Sequence, residues 1–202
     1  MAFSLDSMDQ VFPLPIIRFD VAEAAGLNAA LRSEIAARRK AESGTSHSNI
    51  GGWHSTRDFF ERPEPAHRAL AMDLLRMMAE VTRTFDPDAD YTKVRLIPEG
   101  WVNVNPPGAM NAPHAHSGWF WSGSYYVEVP DGSGGIEFLK PFPALPGAGV
   151  IRGPLVDDRT RYEPKPGQVI LFPSTLDHWV YPNRSKKDRI SVAFNGRFEA
   201  KR

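Results

Sequence analysis

The stretch WVNVNPPGAMNAPHAHSGWFWSGSYYVEVP, residues 101–130, decides the fold. Two runs rich in aromatic and β-branched residues, WVNVN and WSGSYYVEV, read as short strands. Between them lie a Pro-Pro-Gly turn and the pair His114-Ala-His116. Residues two apart on a strand face the same way, about 6.6 Å apart along the chain. Two imidazoles so placed can converge on one metal ion, although a solvated polar strand face would look the same.

Working outward, the same texture continues downstream. TKVRLI, GIEFL, QVILF and DRISVAFNGRF are further short β-rich segments separated by Pro/Gly turns. Many short strands with such turns predict a sandwich or barrel from about residue 91 to 198. Upstream the pattern differs. VFPLPIIRF, residues 11–19, reads as a short strand kept at a sheet edge by its prolines, with Asp20 as a helix N-cap. VAEAAGLNAALRSEIAARRKAE predicts a helix with Leu27, Leu31 and Ile35 on one face. RPEPAHRALAMDLLRMMAEVTRTF predicts a second, with Leu70, Leu74, Met77, Met78 and Val81 at spacings of three and four. Its methionines read as core packing. The expectation is one domain over 1–202: a mainly β, α+β core of antiparallel strands, a sandwich or barrel, supported by two N-terminal helices from the first 90 residues.

Composition narrows the chemistry. Lys+Arg and Asp+Glu balance at 24 each, so nothing points to a nucleic-acid or acidic-membrane partner. There is no cysteine, which excludes disulfides, thiolate metal sites and cysteine nucleophiles. Any metal must be held by His, Asp and Glu, which suits iron, manganese or zinc. MAFSLDSMDQ does not read as a signal peptide, and no apolar run reaches membrane-span length. The reading is a soluble, cytoplasmic protein. The edge strand leaves pairing into a homodimer open.

A third histidine strengthens the metal reading. GQVILFPSTLDH delivers His178 from an apolar strand that follows the Pro166-Gly167 turn. Ten residues then separate His178 from Arg189, which opens RIS. On one strand Arg189 and Ser191 share a face. A guanidinium fork with a hydroxyl beside it suits a small carboxylic acid. The preceding RSKKD would equally explain Arg189 as a surface charge, were it alone.

The combination of His114-x-His116, His178 and Arg189-x-Ser191 resembles the Fe(II)/2-oxoglutarate-dependent oxygenases. Residues 101–130 together with SNIGGWHS resemble a bacterial group of uncharacterised members. The likeness spans about residues 10–198. It implies a double-stranded β-helix enzyme, a dioxygenase that uses Fe(II), 2-oxoglutarate and O2 to hydroxylate a substrate with release of succinate and CO2. It further implies His114 and His178 as iron ligands. Arg189 and Ser191 would hold the distal carboxylate of 2-oxoglutarate, helped by Tyr126. Asn103 or Asn105, on the preceding strand, would hold its other end or the substrate.

At His116 the family usually has aspartate. An imidazole there raises the site's charge by one unit, which a dianionic cosubstrate tolerates. His116 is the expected third ligand, with Glu137 as the alternative. Filling that position also argues against halogenation. The wider cupin pattern is matched only partly: the usual glutamate after His-x-His is absent, and Thr175 replaces a glycine. A three-histidine cupin-like dioxygenase or isomerase that does not use 2-oxoglutarate, and a non-catalytic metal- or acid-binding jelly roll, are the competing readings. Trp119 and Trp121, by alternation, and Trp53, in the glycine-flexed loop SHSNIGGWHS, are the candidate substrate wall and lid, each with ordinary packing or connection as the alternative. A small molecule is the expected substrate.

Overall fold

The computed structural model describes residues 7, 12–143, 145–147, 149–153 and 155–201. Its elements in chain order are β1 (Ile17–Asp20), α1 (Ala24–Ala41), β2 (Asn49–Ile50), β3 (Trp53–His54), α2 (Pro65–Phe85), β4 (Val94–Asn105), β5 (Met110–His114), β6 (Trp121–Glu128), β7 (Ile136–Leu139), β8 (Arg159–Tyr162), β9 (Gln168–Pro173), β10 (His178–Val180) and β11 (Arg189–Ala200). They form a six-stranded sheet in the order β1-β9-β6-β11-β4-β3 and a five-stranded sheet in the order β2-β5-β10-β7-β8. All the strand pairings are antiparallel. From β4 onward the chain divides its eight strands equally between the two sheets. This is the expected double-stranded β-helix.

Alternation along the strands of the larger sheet explains where the helices go. Val102 and Val104 of β4, Trp121, Tyr125 and Val127 of β6, and Val192 and Phe194 of β11 share one face. Leu31 and Ile35 of α1 and Leu70, Leu74, Met78 and Val81 of α2 cover that face in one buried cluster. Burial of side chains of this size contributes roughly 1.5–3 kcal/mol each. Met78 is fully buried there, as core packing predicts, while Met72 is exposed. A smaller cluster, including Tyr126, Ile136, Phe138, Ile170 and Phe172, belongs to the opposite, inner side.

The first turn of α2 is capped from the other helix. Pro65 opens it without an N–H to satisfy. The Glu34 carboxylate of α1 then accepts the Ala66 and His67 backbone N–H groups at 2.9 and 3.1 Å, and His67 Nδ1 at 2.7 Å. Burial pushes the Glu34 carboxyl upward, but these hydrogen bonds outweigh it and hold the group below its ordinary value.

Two local expectations differ from the structure. β1 is indeed an edge strand, but it begins at Ile17 rather than near residue 11. Pro13 and Pro15 lack the N–H groups a ladder needs, and Val11 lies outside the described residues. Asp20 does not cap α1. It ends β1 and accepts from Lys165 Nζ and Gln168 Nε2, both at 3.0 Å, while Glu23 in a left-handed conformation precedes the helix. Among the described residues, no helix is long and apolar enough to cross a membrane.

Candidate active site

The inner face of the larger sheet and the smaller sheet flank a narrow pocket. Strand register brings together two of the three histidines at its rim. His178 opens β10 and lies directly opposite His114, the last residue of β5. His116 is not on that strand, as simple alternation would have it. β5 ends at His114, and His116 sits in the following loop, where its N–H donates to the Ser174 carbonyl at 2.8 Å. That bond folds the loop back toward the other two rings. The ring centroids of His114, His116 and His178 are 4.4–5.3 Å apart. One nitrogen of each lies within 4.8 Å of the others.

The rings are held in the form a metal needs. Nδ1 of His114 donates to the Ala112 carbonyl at 2.7 Å, and Nδ1 of His178 to the Leu176 carbonyl at 2.9 Å. Placing the proton on Nδ1 leaves the Nε2 lone pair free, which is how partners beyond the ligands commonly orient metal-binding histidines. Burial is the main cause that pushes His178 down to about 3 and His116 down to about 4, and it lowers His114 as well. All three are neutral imidazoles near pH 7. Among the described residues no carboxylate joins this cluster.

Glu137, the alternative ligand, faces away. Phe138 is the β7 residue opposite His178, so Glu137 points out of the barrel. There its carboxylate accepts from Trp179 Nε1 at 2.8 Å and Tyr181 Oη at 3.0 Å.

Deeper in the pocket, Arg189, Ser191, Tyr126 and Asn103 come together. Ser191 of β11 is flanked in register by Asn103 of β4 and Tyr126 of β6. Arg189 is 2% exposed. Its Nη1 donates to the carbonyls of Ser133 at 2.8 Å, Gly134 at 3.1 Å and Tyr181 at 3.4 Å. Among the described residues it has no carboxylate partner within ion-pair distance. Burial lowers its affinity for a proton from the ordinary arginine value. A buried guanidinium without a counter-ion is costly unless an anion arrives to pair with it. Burial also drives the Tyr126 phenol well above its ordinary value, so it stays a neutral donor. The Asn103 Oδ1 is buried without a hydrogen-bond partner among the described residues.

Asn105 faces the same way but stands behind the pocket lining, its Nδ2 donating to Asn111 Oδ1 at 3.3 Å. Trp101, Ser48 and Asn111 line the pocket without having been singled out as site residues. Trp101 shares the parity of Asn103, which was the available signal. Ser48 carried none, because it arrives from a separate loop.

The expected aromatic wall is not there. Trp121 is 3% exposed and lies in the helix-side core, where Nε1 donates to Thr82 Oγ1 at 2.8 Å. Trp119 precedes the strand, so alternation does not relate the two. It lies half-buried under Arg197. Trp53 packs against the core and donates from Nε1 to the Glu42 carbonyl at 3.0 Å. Nor is SHSNIGGWHS a free lid. It adds β2 to one sheet and β3 to the other, pairing Asn49 with Asn111 and His54 with Asn103. Gly51, at φ 72°, makes the turn between them. The corner carries Ser48 Oγ to 3.5 Å from His114 Nε2 and stacks His54 on Trp101 at 5.3 Å.

The loop between β7 and β8 leaves the barrel beside this rim, for Leu139 donates its N–H to the Asp177 carbonyl at 2.9 Å. It exposes Phe142, Leu145, Val150, Ile151 and Leu155.

The double-stranded β-helix thus carries, in one pocket lining, a cluster of three histidines and a buried arginine without a carboxylate partner among the described residues. A family model described as "Putative 2OG-Fe(II) oxygenase" matches residues 99–195, just under half of the chain, which is similar over that segment to the Fe(II)/2-oxoglutarate-dependent oxygenases. That match implies an enzyme that uses Fe(II) and 2-oxoglutarate, with O2 as cosubstrate. Solved structures share the fold at low identity. A prolyl-4-hydroxylase from Pseudomonas putida is 20% identical, with a TM-score of 0.60 over 90% of this chain and 91% of that one. The α-ketoglutarate-dependent epimerase SnoN from nogalamycin biosynthesis is 14% identical, with a TM-score of 0.65 over 93% and 79%. HygX from Streptomyces hygroscopicus, solved with nickel and 2-oxoglutarate, is 15% identical, with a TM-score of 0.59 over 90% and 82%. No curated protein matches the chain by sequence.

Proposed function

We propose that His114, His116 and His178 hold the iron, and that Arg189, Ser191, Tyr126 and Asn103 receive 2-oxoglutarate, in a single enzyme domain spanning residues 1–202. The observation that carries this reading is the buried Arg189, without a carboxylate partner among the described residues, in the pocket that the histidine cluster also lines. The donor set fits both groups. Three neutral imidazoles suit a borderline cation, and a guanidinium with a hydroxyl and a phenol suits a carboxylate.

With iron bound, oxidative decarboxylation of 2-oxoglutarate by O2 gives succinate and CO2 and delivers one oxygen atom to a C–H bond of the substrate. The residues of the chain supply placement. Arg189 pairs with the distal carboxylate, and Ser191 and Tyr126 donate to the same group. Asn103, opposite Ser191 in register, serves the other end of the molecule or the substrate. Trp101, 5.6 Å from the His116 ring, narrows the approach to the cluster. Neutral imidazole at His116 leaves the site one unit more positive than an aspartate would, a charge that dianionic 2-oxoglutarate offsets. His116 also occupies the place a halide would need, which argues against halogenation and leaves hydroxylation as the default outcome. A substrate, small molecule or peptide, enters past Ser48 and the loop between β7 and β8. A cupin-like enzyme that makes no use of 2-oxoglutarate would leave Arg189 without a purpose. Cytoplasmic location belongs to the same proposal.

Anaerobic Fe(II) and 2-oxoglutarate should give a weak visible charge-transfer band, and air should then release succinate. Arg189→Ala should remove the band at ordinary 2-oxoglutarate concentrations. A protein that shows neither band nor succinate, or in which Arg189→Ala changes nothing, is not this enzyme.

A further inference from the structure

Glu137 is a carboxylate 4% exposed, on the outer side of β7, far from any role in ligating the metal. Burying such a group is unfavourable unless its oxygens are satisfied. Here each oxygen has its own donor: Oε1 takes Trp179 Nε1 and Oε2 takes Tyr181 Oη. Arg159 Nη1 stands 3.7 Å from Oε1. The two rings lie 4.2 Å apart, and the Arg161 guanidinium covers the Tyr181 ring at 3.8 Å. Glu137 therefore grips residues 179 and 181 from outside the barrel, on either side of Val180.

What Tyr181 does with its backbone gives this grip a consequence. Its N–H donates to the Gly135 carbonyl at 3.0 Å, and its own carbonyl accepts from Arg189 Nη1. Arg189 is thus fixed by carbonyls of Ser133, Gly134 and Tyr181, two chain segments pressed together with no carboxylate among the three acceptors. The fit is tight. A Cβ on Gly134, at φ 89°, would stand 2.4 Å from the Tyr181 carbonyl oxygen. The cradle can hold this shape only while Tyr181 stays in place, and Glu137 is the acceptor for its hydroxyl.

We propose that Glu137 is a positioning residue for 2-oxoglutarate: by anchoring Tyr181 from outside the barrel, it sets the carbonyl cradle that aims Arg189 into the pocket. The inference rests on the reading of Arg189 as the cosubstrate's partner. Removing the grip lets the Tyr181 carbonyl drift and the guanidinium follow it, without touching a histidine. Glutamine can replace glutamate here, because its carbonyl accepts from Trp179 and its amide N–H donates to the Tyr181 oxygen.

The test compares Glu137→Leu, Glu137→Gln and Tyr181→Phe with the parent protein. The readouts are the 2-oxoglutarate dissociation constant of the anaerobic Fe(II) protein, by calorimetry, and the 2-oxoglutarate KM and kcat for succinate release. Glu137→Leu and Tyr181→Phe should each raise the dissociation constant and KM about ten-fold, the loss of roughly one charge-assisted hydrogen bond. kcat should change much less, and Glu137→Gln should stay within about two-fold of the parent, since it keeps both hydrogen bonds. A merely structural role would lower the folded fraction, and with it kcat, while KM stayed put. That result, or a Glu137→Gln variant as impaired as Glu137→Leu, overturns the proposal. A parent protein that binds no 2-oxoglutarate at all fails one step earlier, on the reading of Arg189.

Discussion

The two faces of the larger sheet are made from the same strands and obey different rules. On the helix side, β4, β6 and β11 present Val102, Val104, Tyr125, Val127, Val192 and Phe194, all closely buried against α1 and α2. On the pocket side the alternate residues are Asn103, Asn105, Ser122, Tyr126, Ser191 and Asn195, nearly as buried and mostly polar. The second face is a poor way to stabilise a fold. Asn103 Oδ1, Asn105 Oδ1 and Asn195 Nδ2 are buried there without partners among the described residues. Each such atom costs about 1–3 kcal/mol. The helix side supplies the stability that lets the pocket side stay polar and open to a ligand.

If that division is real, the two faces fail in different ways. The largest effect belongs to His178→Ala. Losing one of three proposed ligands should abolish measurable iron binding and lower succinate formation by about a thousand-fold or more, beyond what the loss of one ordinary contact gives. The apo-protein should unfold no earlier than the parent, because His178 is there as an oriented base and not as packing. A His178→Ala variant that melts much earlier, with iron binding intact, would merge the two faces.

Leu74→Ala is the mirror of this change. Leu74 is 2% exposed in the helix-side cluster. Its truncation should cost about 3 kcal/mol and lower the melting temperature by roughly 10 °C for a chain of this size. Iron and 2-oxoglutarate affinities of the folded protein should remain within about two-fold, because well-separated sites act independently. A large change in either affinity would show that α2 reaches into the site.

The helix-side face was the more legible in the sequence, for a physical reason. Apolar residues at spacings of three and four have one place to go, so Leu70, Leu74, Met78 and Val81 announced α2 and its buried side directly. Short strands and turns led as far as a sandwich or barrel, and the resemblance carried by His178, Arg189 and Ser191 narrowed it to the double-stranded β-helix. The pocket side was legible where a spacing carried chemistry, as with His178, Arg189 and Ser191. It was obscure where position depends on where a strand stops. β5 ends at His114, so His116 reaches the cluster through a loop bond to Ser174, which no alternation rule contains. For the same reason Trp119 and Trp121 were wrongly paired. β8 went unseen because Arg159–Tyr162 has an exposed, charged edge, and Ser48 was invisible because its approach to His114 is long-range.

A pH titration probes the comparison at the rim. His54 is 2% exposed and stacks on Trp101. Burial first, with the positive charge of His47 and Arg57 adding to it, pushes His54 down to about 4 from 6.5, against the hydrogen bond to the Ser55 carbonyl. The unfolded chain takes up this proton near pH 6.5, and the folded chain does so only near 4. Its contribution to stability is therefore full above pH 6.5 and is lost as pH falls from there toward 4, at about 1.4 kcal/mol per pH unit for one proton. Denaturation of the apo-protein across that window should show a slope of several protons, because His114, His116 and His178 are lowered as well, and His54→Gln should reduce it by about one. An unchanged slope in the variant would mean that His54 is already protonated in the fold.

The smallest expected effect is the sharpest test, because it requires the two properties to move in opposite directions. Asn103→Leu keeps the branching and number of heavy atoms and replaces an unpartnered buried oxygen with a methyl group. By the rule that governs the helix side, the substitution should stabilise the apo-protein, by about 1 kcal/mol. By the role proposed for Asn103 beside Ser191, it should weaken 2-oxoglutarate or substrate binding by about ten-fold, the loss of roughly one hydrogen bond. Denaturant unfolding of the apo-protein and calorimetry of the anaerobic Fe(II) protein measure the two separately. A variant that loses stability as well as affinity would show that Asn103 is part of the framework. A variant that gains stability and keeps its affinity would show that the orphaned oxygen serves no ligand. Only the split result fits a face whose polarity is retained for binding at the expense of the fold.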